Sequence, residues 1–215
     1  MDLITLTDPR SPISEAYRSL RTNLAFYSLD DPIHTLVVTS PAPDEGKSTT
    51  IANLAVTMAQ SGRKTILVDC DLRRPSLHQV FDVSNDAGFT TMVLDVEAEP
   101  PLRETGVENL WLLTSGPKPP NPADLLGSQQ VDRLLSMLAE QADIVLIDAP
   151  PVVGVTDAAV LGARVDGVLL VLSAGKTRRE HAERAKELLE KARVRLIGAA
   201  LTNAPVDSSF KGYYE

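Results

Sequence analysis

The sequence predicts an α/β chain: a parallel sheet with helices on both faces. Three observations carry this. Several short segments, residues 66–68 and 144–147 among them, are continuous apolar runs, as strands covered on both faces are. Amphipathic or charged helical stretches separate these runs, so strand and helix alternate. The 215 residues suit one domain with a sizeable core and show no internal repeat.

The elements follow in order. Residues 14–27 read as a helix capped by Ser14, with Tyr17, Leu20, Leu24 and Tyr27 at helical spacing. Residues 35–39 are a short β-branched strand, and 47–60 a helix stopped by Ser61-Gly62. Strands are predicted at 65–69, 110–113, 144–147, 167–172 and 196–201. Helices are predicted at 128–140, 157–163 and, strongly charged, 177–192. Residues 117–122 hold four prolines and form a rigid surface segment. The reading divides the chain into a linker at 1–13, a domain at 14–203 and a flexible tail at 204–215.

Composition narrows the function. A net charge of -8 argues against a general nucleic-acid binder, which needs clustered Lys and Arg. The lone Cys70 forbids an internal disulfide and fits a reducing compartment. No apolar run approaches the ~20 residues that span a bilayer. Residues 1–10 are too polar for a signal peptide. His34, His78 and His181 are scattered without ligand spacing.

Three segments carry chemistry. The first, residues 40–49, follows a strand and opens a helix, as a phosphate-binding loop must. Backbone N–H groups at this helix start would face phosphates at the positive helix end, and Pro43, Asp44, Glu45, Gly46, Lys47, Ser48 and Thr49 are the candidate nucleotide contacts. Gly46 permits close approach, Lys47 reaches the β- and γ-phosphates, and the Ser48 hydroxyl takes Mg²⁺. Pro41 stands where the usual pattern has Gly. The second segment, residues 144–151, is an apolar strand delivering Asp148 close to that magnesium, the Walker B role. The third, residues 66–75, ends an apolar strand in Asp69 and Asp71, which share a side if the strand persists. Two carboxylates beside a polyphosphate call for a metal or a transferable proton, hence a metal ligand and a general base.

With these three elements the chain resembles the bacterial tyrosine kinases (BY-kinases) of capsule and exopolysaccharide systems, a P-loop NTPase family. Ile66-Leu67-Val68-Asp69, Asp71 and Arg73 match its Walker A′ motif. Glu15, Arg18 and Arg21 match its Glu-x-x-Arg-x-x-Arg motif. Gly106 to Leu110, Pro119 to Pro122, Leu125-Leu126, Asp148 to Pro151, Asp157 and Gly198 to Asn203 match further stretches. Partitioning ATPases of the same class carry a signature lysine where this chain has Pro41-Ala42-Pro43.

The resemblance implies phosphoryl transfer from ATP to tyrosine. It implies Lys47, Asp69 and Asp71 as catalytic groups, with Asp69 favoured as base, and Ser48, Asp71 and Asp148 around Mg²⁺. It implies adenine contact at Asn203, and ring assembly of a homo-oligomer through Glu15, Arg18 and Arg21. Tyr213 and Tyr214 become the acceptors, a short version of the family's tyrosine cluster. The implied partners are a transmembrane polysaccharide co-polymerase adaptor, separate or fused in the same chain, and a counteracting tyrosine phosphatase. The implied location is the inner face of the cell membrane. The alternatives are a partitioning-type ATPase switch and a nucleotide-binding scaffold without tyrosine phosphorylation.

Overall fold

The computed structural model describes residues 2–27, 32–95 and 98–205. Tyr213 and Tyr214 lie outside the described residues. The core is a seven-stranded sheet in the order β3-β4-β2-β5-β1-β6-β7. The strands are β1 (Thr35–Thr39), β2 (Thr65–Asp69), β3 (Arg103–Glu104), β4 (Leu110–Leu113), β5 (Ile144–Asp148), β6 (Gly167–Ser173) and β7 (Leu196–Thr202). Neighbours pair in parallel except β3, which runs antiparallel to β4 at one edge.

Strands β1, β2 and β5 are buried along their whole length, which explains their unbroken apolar runs. Alternate residues serve opposite faces. Val37, Ile66, Val145 and Ile147 pack with Leu134, Leu138, Leu161 and Leu189 on one face. Leu36, Val38, Leu67 and Leu146 pack with Leu24, Ile51, Leu54 and Met58 on the other. The first set of helices includes α7 (Gln129–Gln141), α8 (Asp157–Gly162) and α9 (Arg179–Lys191); the second includes α2 (Pro12–Tyr27) and α3 (Lys47–Gln60). Each Leu or Ile so buried stabilises by ~1.5–3 kcal/mol. Helix α3 is buried at every position from Thr50 to Ala59, enclosed between the sheet and α2.

The predicted elements all form, and the structure adds short ones without a readable period: α1 (Ile4–Thr7), α4 (Leu77–Val80), α5 (Phe89–Leu94), α6 (Pro122–Leu126) and the two-residue β3. Two readings near the N-terminus change. Helix α2 starts at Pro12, and Ser11 is its cap: the Ser14 N–H donates to Ser11 Oγ at 3.2 Å. Ser14, expected as the cap, is wholly buried, with its hydroxyl 2.7 Å from Asp8 O and 3.1 Å from Ile4 O. Residues 3–7, read as linker, dock on the core instead. Leu3 and Thr5 are buried, and Thr5 donates from N and Oγ1 to Asn53 Oδ1 on α3 at 3.1 and 2.8 Å. Among the described residues no helix is long and apolar enough to cross a membrane.

Candidate active site

The parallel register aligns the C-terminal ends of three adjacent strands. Asp148, ending β5, stands beside Val38 of β1 and Asp69 of β2. Helix α3 starts from the loop after β1, so its N-terminus meets both acid-bearing strand ends, where open parallel sheets place their ligands.

The loop turns through two left-handed residues, Asp44 (φ 58°) and Gly46 (φ 86°). An added Cβ at Gly46 would find its nearest neighbour at an ordinary 3.5 Å, on Thr202. The glycine is therefore needed for its backbone angle rather than for space. Asp44 adopts the same region with a side chain, at a cost of about 1–2 kcal/mol.

Lys47 is at the centre. Its Nζ lies 2.6 Å from Asp148 Oδ1, 3.4 Å from Asp71 Oδ2 and 3.1 Å from Ser48 Oγ. Ser48 Oγ donates to Asp148 Oδ2 at 2.6 Å. Burial works against the ammonium, but Asp148 and Asp71 outweigh it and raise its proton affinity. Burial also raises Asp148, with Lys47 and Ser48 pulling the other way. Asp69 is pushed up to about 7 by burial and by Asp148, against opposing N–H bonds and Lys47.

The two Walker A′ acids differ in placement. Strand β2 ends at Asp69, so the alternation expected to align the pair lapses there. Asp69 is fully buried: Oδ2 accepts from Ser76 N and Leu77 N, each at 3.0 Å, and Oδ1 accepts from Asp71 N at 3.2 Å. Asp71 instead lines a cleft of about 540 Å³, with Ser40, Pro43, Asp44, Gly46, Lys47, Ser48, Thr49, Arg73, Arg74 and the 150–155 loop.

Glu45 and Asn203, expected at the nucleotide, do not line that cleft. The Glu45 side chain is 2% exposed; Oε2 accepts from Ala42 N at 3.0 Å and Oε1 from Thr177 Oγ1 at 2.6 Å. A carboxylate facing phosphates would repel them, and turning inward removes that conflict. Asn203 donates its amide to Ser173 Oγ at 3.0 Å.

Arg73 and Asp157, named from sequence only as motif members, form a bidentate pair at 2.8 and 3.0 Å. It ties the β2–α4 loop to the start of α8. Glu15 and Arg18 pair with each other at 3.0 Å, and Arg21 donates to Thr57 O, in the last turn of α3, at 2.9 Å. Thr177, Lys176 and Asn53 escaped the sequence reading. Their partners lie 132, 132 and 48 residues away, beyond any local pattern.

The donors fit magnesium. Among the described residues no three acidic, His or Cys side chains form a metal cage. Magnesium needs none: one or two carboxylates, a hydroxyl and substrate phosphates suffice. Ser48 and Asp148, already in contact at the helix head, with Asp71 on the cleft, supply hard oxygens of that kind.

Comparison with known proteins places this arrangement. A family model, ParA, described as NUBPL iron-transfer P-loop NTPase, matches residues 33–203. The tyrosine-protein kinase YwqD of Bacillus subtilis is 42% identical over 99% of this chain and 91% of its own. The tyrosine-protein kinase etk of Escherichia coli is 34% identical over 92% of this chain but only 27% of its own. The solved kinase domain of the Escherichia coli tyrosine kinase ETK superposes with a TM-score of 0.90 at 33% identity, covering 97% of this chain and 82% of that one.

Proposed function

The chain belongs to the bacterial tyrosine kinases within the P-loop NTPases, and on that premise we propose that its cleft takes Mg·ATP and passes the γ-phosphoryl group to tyrosines of its own tail, Tyr213 and Tyr214. The carrying observation is the constellation at the head of α3: Lys47 and Ser48 both bonded to Asp148, with Asp71 at the cleft wall. No lysine occupies residues 41–46, so the partitioning-type switch lacks its signature group here.

The chemistry is positioning and charge stabilisation. N–H groups from Asp44 to Thr49 cradle the phosphates. Lys47 passes from its acids to the transferring phosphoryl oxygens. Magnesium, held by Ser48, Asp148 and Asp71, would neutralise charge on the β- and γ-phosphates. The tyrosine oxygen forms its bond to the γ-phosphorus as the bond to the β–γ bridging oxygen breaks and ADP leaves. The phenol, with a pKa near ~10, gives up its proton to the Asp69–Asp71 pair. Asp71 is the member that fronts the cleft, and Asp69, with raised proton affinity, sits behind it.

The tail reaches a site in trans when copies assemble head to tail, and Glu15, Arg18 and Arg21 are the residues assigned to that contact. The proposed setting is capsular or exopolysaccharide export at the inner face of the membrane. There a transmembrane adaptor recruits or continues the chain and a tyrosine phosphatase reverses the modification. The 27% share of etk that this chain spans supports a family in which the domain also occurs within longer proteins.

The test is incubation with γ-labelled ATP and Mg²⁺, with and without an adaptor's cytoplasmic tail, beside Lys47→Met and Asp69→Asn. Mass spectrometry is expected to place phosphate on Tyr213 or Tyr214 in the unaltered chain alone. Free phosphate without phosphotyrosine would reject tyrosine as acceptor.

A further inference from the structure

A glutamate inside a phosphate-binding loop is an electrostatic problem. Glu45 sits between Asp44, whose residue lines the cleft, and Gly46, which also lines it. If its carboxylate turned outward it would meet the nucleotide's phosphates at close range, where like charges repel strongly at reduced dielectric. The structure turns it inward, and a buried carboxylate needs donors.

Two donors are present. One is the loop's own Ala42 N–H at 3.0 Å. The other comes from the far side of the site: Thr177 Oγ1, 2.6 Å from Glu45 Oε1, in the connection between β6 and α9. The Thr177 hydroxyl is itself oriented. Its oxygen accepts from Ser173 N at 2.7 Å, which leaves its hydrogen free for Glu45. The same connection supports the neighbouring residue, since Lys176 Nζ donates to Asp44 O. Thr202 Oγ1, at the end of β7, lies 2.9 Å from Glu45 O. The left-handed turn at Asp44 and Gly46 is thus braced from the β6–α9 connection and from β7.

We propose that Thr177 is a positioning residue for nucleotide binding, whose hydroxyl holds the Glu45 carboxylate out of the phosphate site. Without that hydroxyl, Glu45 keeps only the Ala42 N–H and gains by turning to solvent through the cleft that its neighbours Asp44 and Gly46 line. The effect falls on the affinity for phosphates rather than on the transfer step.

This rests on the cleft being the nucleotide site, and the closing experiment separates the two. Binding of Mg·ADP to the full chain is measured by calorimetry for wild type, Thr177→Val, Thr177→Ser and the double variant Thr177→Val/Glu45→Gln, with melting temperatures alongside. Thr177→Val is expected to weaken binding about tenfold, the scale of one charge-assisted hydrogen bond. In turnover it raises the KM for ATP with kcat within about twofold. Thr177→Ser restores the hydroxyl and wild-type affinity. The double variant recovers most of the loss, because a neutral amide released into the cleft does not repel phosphate. A merely structural threonine would leave the double variant no tighter than Thr177→Val, and that result overturns the assignment. So does wild-type affinity in Thr177→Val. Should Thr177→Val melt early, the Ser variant and the double variant's recovery still decide. Absence of Mg·ADP binding in the wild type would instead remove the reading of the cleft itself.

Discussion

Arg73 clasps Asp157 with two parallel N–H···O bonds, and the carboxylate it holds is completely buried while the guanidinium is 39% exposed. The pair joins the loop after β2 to the first residue of α8, next to the 150–155 loop that lines the cleft. Removing the arginine strands a buried charge, which costs more than the pair itself contributes. Arg73→Ala is expected to destabilise by ~2 kcal/mol after allowance for the exposed side, and to lower the melting temperature by roughly 4–8 °C. Arg73→Ala/Asp157→Asn, which removes both charges, should melt closer to wild type. A calorimetric scan of the set checks both.

The proposed catalytic role of Lys47 and its pairing with Asp148 separate by pH. Lys47→Met should lower phosphoryl transfer by at least ~10²-fold, as loss of a preorganised charge does. It also leaves Asp148 buried beside no ammonium. Asp148 is already raised by burial, and without Lys47 it rises further. The folded protein then holds a proton that the unfolded chain releases, so the penalty of the ionised acid appears as pH rises and vanishes on acidification. Melting temperatures of Lys47→Met and wild type should differ more at pH 8 than at pH 5.

Asp69 gives a second pH signature. Its carboxyl sits at about 7 in the folded protein, above its unfolded value. Between the two, folding takes up a proton, so the stability of the nucleotide-free protein falls as pH rises from ~4 towards ~7 and levels off above it. Urea unfolding at pH 5, 6, 7 and 8 should show this slope, reduced in Asp69→Asn. Tyrosine phosphorylation should follow the opposite course, rising as Asp69 loses its proton.

Asn53 holds the N-terminal helix to α3. It is 1% exposed, accepts twice from Thr5 and donates to Thr49 O at 2.9 Å. Asn53→Leu leaves the two Thr5 donors unpaired and should cost ~2–4 kcal/mol. Limited proteolysis should then cut earlier within residues 3–11, with α3 still folded.

The sheet and the acid-bearing strand ends were legible in the sequence for one reason. Strands buried on both faces spell unbroken apolar runs, and an acid at the end of such a run in a parallel sheet emerges at the ligand edge. Asp148 and Asp69 fall into register because β2 and β5 are neighbours. The finer placement was not legible. Whether Asp69 or Asp71 faces the cleft depends on where β2 stops, and periodicity carries no stop signal there. The inward turn of Glu45 depends on Thr177, and Arg73 finds Asp157 only through the fold. Helix α1 has four residues, too few to show a repeat. Its docking rests on Asn53, in the middle of a helix whose neighbouring positions, Ala52 and Leu54, read as ordinary core.

The hydroxyl of Thr202 lies 2.9 Å from Glu45 O and 3.2 Å from Leu172 O. The first of these contacts spans 157 residues of chain. On the ribosome, the phosphate loop emerges long before its last brace. A nascent chain ending ahead of Leu196 has every cleft-lining residue in sequence and an unfinished loop in space. Tight Mg·ADP binding is therefore expected only once β7 has been synthesised and paired, so that nucleotide occupancy would mark a completed domain.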